Sequence, residues 1–206
     1  MPSQYNEDTI LAELFGDHIG RFLDLGAFDG FHGSNTFALA ENGWSGVCVE
    51  ADPWVFPRLV EAHANHPEVK CLCAAISDVP GVVEISRLRD QCSCHEPQPA
   101  VLAACPVRTR FHAATIDPMG IRWAFGGQFD LISLDIEGMD LTVLRSLSPL
   151  TANAKALIFE DAMPCTAFDS EYYGKLISAA ATLGFTKTLA RTGPEAPGSG
   201  NTILVC

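Results

Sequence analysis

The chain has 206 residues, 48% of them apolar, and 25 acidic against 13 basic side chains give a formal charge of −12. That apolar share excludes a disordered chain and suits a single α/β domain, residues 1–206, with a substantial core. The acidic balance argues against a nucleic-acid backbone or an anionic membrane surface, both of which select basic patches, and is compatible with a cationic or neutral substrate.

In chain order, residues 1–20 form an N-terminal helical segment, with Ile10, Leu11 and Leu14 on one face of a helix over 7–15. A strand over 21–25 follows, then a helix from the N-cap Ser34 to Asn42, closed by Gly43. A second strand covers 46–50. Asp52 caps a helix that carries Pro53 at its first position and runs to about His63. A third strand is expected over 69–76, and Pro80-Gly81 turns the chain into extended residues 82–86. Residues 90–106 carry proline and cysteine without a period and read as a Cys-rich loop or lid. Extended residues 107–113, a helix over 118–125 and a fourth strand over 129–134 come next. Met139, Val143, Leu144 and Leu147 then recur at helical spacing. A strand over 156–160, a helix over 170–183 and two closing strands over 185–190 and 202–205 complete the chain. Strands alternating with helices predict a mostly parallel, Rossmann-like sheet with an antiparallel C-terminal strand and helices on both faces.

Every distinctive motif falls on a strand tip, where such sheets bind ligands. Asp24-Leu25-Gly26-Ala27-Phe28-Asp29-Gly30 is a glycine-punctuated turn, and Glu50 ends the next strand twenty residues past Gly30. That arrangement holds adenosine-bearing cofactors, the acid accepting from both ribose hydroxyls. A dinucleotide needs bare amides at G-x-G-x-x-G for its pyrophosphate, and here the middle glycine is missing. Asp24 and Asp29 stand in the turn instead, where negative charge repels phosphate and attracts the ammonium and sulfonium of S-adenosylmethionine. An NAD-linked oxidoreductase is the alternative enzyme class, and a cofactor-binding module without turnover is the alternative outside enzymes.

Several stretches taken together are similar to the FkbM-type methyltransferases. They are residues 3–8, residues 22–30, Ser34-Asn35-Thr36, residues 43–53, Ala75-Ile76-Ser77-Asp78, and Leu134-Asp135-Ile136-Glu137-Gly138-Met139-Asp140-Leu141. The likeness runs from about Ser3 to Glu160, with Asp140 where glutamate is commoner and no counterpart for the cysteine-rich stretch. It implies a class I methyltransferase sheet and transfer of a methyl group to oxygen, a hydroxyl or carboxylate of a sugar, natural product or peptide.

The expected roles follow. Gly26, Ala27 and Gly30 line the methionine part of the cofactor and Asp24 draws in its ammonium. Asn35 binds the cofactor carboxylate or caps its helix. Ala51, Ala75 and Ile76 sandwich the adenine. Gln4 and Asp8 fold over the cofactor if the likeness extends to the N-terminal segment. Asp135, Glu137, His32 and Glu160, in that order, are candidates for a base, with helix capping an equal reading for Glu137. No metal is expected. Cys92, Cys94, His95 and Cys105, with Cys71, Cys73 and His112 nearby, lack paired C-x-x-C spacing, and Cys71 and Cys73 read as small core residues. Trp44, Trp54 and Trp123 read as packing residues. No 18-residue apolar run or basic-then-apolar leader is present, and the cysteines are unevenly spaced. A cytoplasmic protein with reduced thiols is therefore expected, with self-association left open.

Overall fold

The computed structural model describes residues 3–89, 92–94, 107, 109–161, 169–193 and 200–206. Seven strands form the main sheet: β1 (Arg21–Leu25), β2 (Ser45–Glu50), β3 (Val69–Cys73), β8 (Leu131–Leu134), β9 (Ala156–Glu160), β10 (Lys187–Thr192) and β11 (Asn201–Val205). Their order is β10-β11-β9-β8-β1-β2-β3, and only β11 runs antiparallel to its neighbours. The predicted sheet with its reversed C-terminal strand is therefore present, and β11 slots between β9 and β10.

The period of two in each strand decides which helices cover which face. Phe22, Cys48, Leu131, Ile158 and Ile203 pack under α1 (Glu7–Phe15), α2 (Phe37–Glu41) and α3 (Phe56–Ala62), with Leu11, Phe15, Leu39 and Leu59 from the helices. Leu23, Leu25, Val49, Ile132, Leu134 and Phe159 face the other way. They meet α4 (Pro118–Phe125), α5 (Asp140–Ser146) and α6 (Ser170–Thr182) through Ile121, Val143, Leu144, Leu176 and Ala180. Asp117 and Asp169 cap α4 and α6, accepting from Gly120 N at 2.7 Å and Glu171 N at 2.8 Å. α1 is anchored by the fully buried Glu7, whose carboxylate accepts from Tyr5 N, Asn201 Nδ2 and Thr192 Oγ1. An isolated bridge from Ser3 to Gly33 then carries the N-terminal segment to the strand tips.

Several expectations need correction. The third strand breaks at Ala74, because Ala74 N turns to donate to Glu50 O at 3.0 Å. Its end, β4 (Ala75–Ile76), joins a second sheet of order β4-β7-β5-β6 with β5 (Gly81–Arg89), β6 (Cys92–Cys94) and β7 (Thr109–Ile116). Part of the expected loop over 90–106 is thus strand; the rest of it, with His95 and Cys105, lies outside the described residues. α2 starts at Phe37 rather than near Ser34, whose hydroxyl accepts from Phe37 N at 3.0 Å and so caps from outside. Cys73 is exposed and Cys71 half-buried, both as free thiols. Trp44 is buried edge-on against Phe15, but Trp54 and Trp123 are exposed.

The turn after β1 tolerates no side chain. At Gly26, with φ +87°, a Cβ would lie 1.7 Å from the carbonyl oxygen of Asp135. Gly43 has the same φ of +87° but open space around it. Gly43→Ala should therefore cost only the left-handed conformation, about 1–2 kcal/mol. Gly26→Ala must also displace backbone, adding about 3 kcal/mol or more. Thermal melts of the two variants should differ by roughly 6–12 °C. Equal melting points would mean that the turn does not pack as described.

Candidate active site

The strand order reverses at β1, which lies between β8 and β2, so a crevice opens beyond their carboxyl ends. The tips are stitched together by backbone. Gly26 N and Ala27 N donate to Val49 O, and Asp135 N donates to Leu25 O at 2.9 Å. Above them lies a cavity of about 400 Å³, within the range of small-ligand sites.

One end of the cavity is apolar. Ala51, Val55, Ala74, Ala75 and Ile76 line it, joined by Val83 and Ile85 from β5. The last two were not foreseen, because their place depends on the second sheet, which no local pattern announces. The other end is polar, with Asp24, Asn35, Ser133, Asp135, Glu137 and Gln4. Glu50 stands between them. Its Oε2 accepts from Phe28 N at 2.9 Å and its Oε1 from Asp52 N at 2.7 Å. A carboxylate has about four acceptor positions, and the backbone amides of this turn do not fill all of them, so Glu50 keeps acceptor capacity for ribose hydroxyls. Burial pushes the Glu50 carboxyl up to about 7, with the Asp52 charge adding to the effect and the amides of Asp52, Phe28 and Ala51 opposing it.

Asp24 is buried and accepts from the Thr36 hydroxyl at 2.6 Å and from the Ser133 hydroxyl. Burial pushes it up to about 6 against those two donors. Because Ser133 spends its proton on Asp24, its oxygen accepts from Asn35 Nδ2 at 3.3 Å. Asn35 Oδ1 is left buried with no hydrogen-bond donor. The amide thus leaves an acceptor at the polar wall, which suits a cation and not the carboxylate first expected for it.

Four expected residues do not line the cavity: Asp29, Gly30, Asp8 and the base candidate Glu160. Asp29 is buried in the loop, accepting from Phe31 N, His32 N and His32 Nδ1 and pairing with Arg58 Nη2 at 2.6 Å. Burial pushes its carboxyl up, but the His32 and Phe31 contacts outweigh that and hold it low. Its charge therefore builds the loop and does not face a ligand. Gly30 packs against α3, where a Cβ would lie 2.7 Å from Leu59 Cδ1. Asp8 also turns away, accepting from Ser3 Oγ at 2.7 Å, whereas Gln4 does border the cavity. His32 is at the rim, largely exposed, with Nδ1 committed to Asp29.

The remaining acids cluster at the tips of β8 and β9. One oxygen each from Asp135, Glu137 and Glu160 lies within 4.8 Å of the others. Burial raises Asp135 well above the usual carboxylate range, reinforced by Glu160, Glu137, Asp140 and Asp24. Burial and the charges of Glu137, Asp140 and Asp161 push Glu160 up to about 8. Glu137 does not cap α5. Asp140 closes that loop, accepting from Ile136 N at 3.1 Å and Gly138 N at 3.0 Å, which holds Glu137 at φ +56°.

No protein-family model matches the chain, and no curated protein is significantly similar to it. Solved structures are similar in fold. Fibrillarin from Aeropyrum pernix, in complex with natively bound S-adenosyl-L-methionine, is 14% identical with a TM-score of 0.55, over 96% of this chain and 74% of that one. Magnesium protoporphyrin IX methyltransferase from Synechocystis PCC 6803, with bound S-adenosylmethionine, is 13% identical with a TM-score of 0.54, over 97% and 77%. The fibrillarin pre-rRNA processing protein of Methanococcus jannaschii is 13% identical with a TM-score of 0.55, over 91% of this chain and 66% of its own length. The fold is that of the class I methyltransferases.

The raised carboxyls set a stability profile. Asp24 and Glu50, with folded values of about 6 and 7 above ordinary ones of 3.8 and 4.5, bind more protons folded than unfolded between about pH 4 and 7. Stability from these groups is then lost as pH rises through that window. Asp29 and Asp130, held low, act in the opposite sense, at more acid pH. The melting point of the ligand-free protein should fall between pH 5 and 7.5. For Asp24→Asn with Glu50→Gln together it should fall less.

Proposed function

We propose that the chain is a methyltransferase of the FkbM type, using S-adenosylmethionine to methylate an oxygen of a small-molecule, sugar, natural-product or peptide acceptor. The observation that carries the reading is Glu50. It offers free acceptor capacity between an apolar wall and an acid-rich one, the order adenine, ribose, cationic methionine. Asp24 and the open Oδ1 of Asn35 supply acceptors for the ammonium, while Ala51, Ala75, Ile76, Val83 and Ile85 enclose the purine. The Aeropyrum and Synechocystis proteins of similar fold hold the same cofactor. A pyrophosphate fits poorly, since Asp24 and Asp135 border the turn that would have to cradle it.

The transfer itself is an in-line displacement at a carbon already activated by the sulfonium. The acceptor oxygen forms the new bond, the sulfur takes the old bond's electron pair, and S-adenosylhomocysteine leaves. Alignment of nucleophile and methyl supplies about 7–11 kcal/mol in such reactions. A hydroxyl acceptor also loses a proton. Asp135 and Glu137 border the methyl end of the cavity, and His32 stands at its rim.

Calorimetric titration of S-adenosylmethionine and of NAD tests the reading. Micromolar binding of the former alone is expected, weakened tenfold or more, about 1.4 kcal/mol, by Glu50→Ala. Binding of NAD instead, or of neither, would overturn it. A second titration separates the two ends of the site. Asn35→Ala should weaken S-adenosylmethionine severalfold yet leave methylthioadenosine, which lacks the amino-acid part, unchanged. Equal losses for both ligands would remove Asn35 from the ammonium site.

A further inference from the structure

The acid cluster contains more carboxyl groups than proton removal needs. Asp135 and Glu160 directly follow and end the paired strands β8 and β9. The parallel register runs Leu134 opposite Phe159, which brings Asp135 opposite Glu160 one residue on. Glu137 is held beside them by the loop that Asp140 closes. The three carboxylates converge with one oxygen each inside 4.8 Å. Independently of that convergence, Asp135 Oδ1 has essentially no accessible surface and no hydrogen-bond donor. Buried polar atoms are rarely left in that condition. What it lacks is a positive partner.

An all-oxygen donor set of carboxylates suits a hard divalent cation and does not select zinc or copper, which prefer nitrogen and sulfur. Such ions hold oxygen at about 2.0–2.6 Å. Two oxygens on one ion then lie at most about 4–5 Å apart, so the observed spacing needs little or no contraction.

The geometry points to a divalent cation of the Mg²⁺ or Mn²⁺ class bound by Asp135, Glu137 and Glu160 at the polar end of the cavity, with its open positions facing the acceptor. The cation site stands on the three carboxylates alone; its use in catalysis rests on the proposed methyl transfer. There the ion binds the acceptor hydroxyl oxygen and makes its proton easier to lose. The O–H proton passes to water, the O–CH₃ bond forms, the S–CH₃ bond breaks with its electron pair going to sulfur, and S-adenosylhomocysteine results. Charge balances: a cationic donor and a neutral alcohol give two neutral products and one proton. The same ion offers two adjacent positions to an acceptor with neighbouring oxygens, so a vicinal diol or hydroxy acid is the favoured class.

Mn²⁺ titration of the chelator-stripped full chain, followed by calorimetry and by loss of the free-ion electron paramagnetic resonance signal, tests the site without cofactor or acceptor. One saturable Mn²⁺ per chain is expected, displaced by Mg²⁺. Asp135→Asn and Glu160→Gln should each weaken it tenfold or more. Glu160→Gln, which lies outside the residues lining the cavity, should keep S-adenosylmethionine affinity within about threefold of the wild type, and cooperative thermal melts show whether both variants are folded. Should one not fold, Glu137→Gln serves in its place. No saturable binding, or binding that these substitutions leave unchanged, overturns the cation site. Saturation by methylammonium with no response to Mn²⁺ also overturns it, and assigns the cluster to an amine. Because the readout uses no cofactor, the cation site can fail while cofactor binding stands, and the reverse.

Discussion

The crevice rests on one close approach, that of the turn after β1 to the backbone at the end of β8. Gly26 brings its Cα so near the Asp135 carbonyl that only a hydrogen fits between them. The same turn donates two amides to Val49 O, and Asp135 N closes on Leu25 O. Three strand tips are thereby locked in one register. Since side chains alternate along each strand, that register places Asp24, Glu50, Asp135 and Glu160 on a common side of the sheet. A slip of one residue in any of the strands would send its acid to the opposite face.

Gathering acids there is unfavourable in the empty protein. Burial raises Asp24, Glu50, Asp135 and Glu160, and neighbouring negative charge adds to the effect at the last three. The contrast with Asp29 is instructive. It too is buried, yet two amides and the His32 imidazole hold its carboxyl low, and the Arg58 guanidinium pairs with it. The loop acid is satisfied by the protein itself, whereas the cavity acids keep acceptor capacity in reserve. A ligand bringing positive charge and hydroxyl donors binds to the folded state alone and so stabilises it.

Much of this was legible in the residues. The bounds of β1, β9, α1 and α4 match those read from alternation and helical spacing. Glu50 was identifiable because a strand tip at fixed distance from a glycine turn has few uses. What could not be read depended on partners distant in sequence. Val69 to Ile76 is continuous in character, and only pairing with β2 on one side and β7 on the other divides it at Ala74. Asp29 looks like a ligand residue until Arg58, 29 positions later, is folded against it. Helix capping, an equal reading for Glu137, likewise fails on the path of the loop, where Asp140 reaches both amides.

The small sheet has a consequence for how such a protein diversifies. It supplies Val83 and Ile85 to the apolar wall, yet it joins the main sheet's chain path through the short β4. Elsewhere it is pinned by the Asp52–Arg87 ion pair at 2.8 Å and the edge contact of Trp54 with Phe111. None of these touches the register of β1, β2 and β8. The main-sheet tips are constrained collectively, whereas β5 and β7 form an exchangeable part. Lineages descending from such a chain can remodel the rim of the pocket by drift within that insert while the chemistry beneath it stays constant.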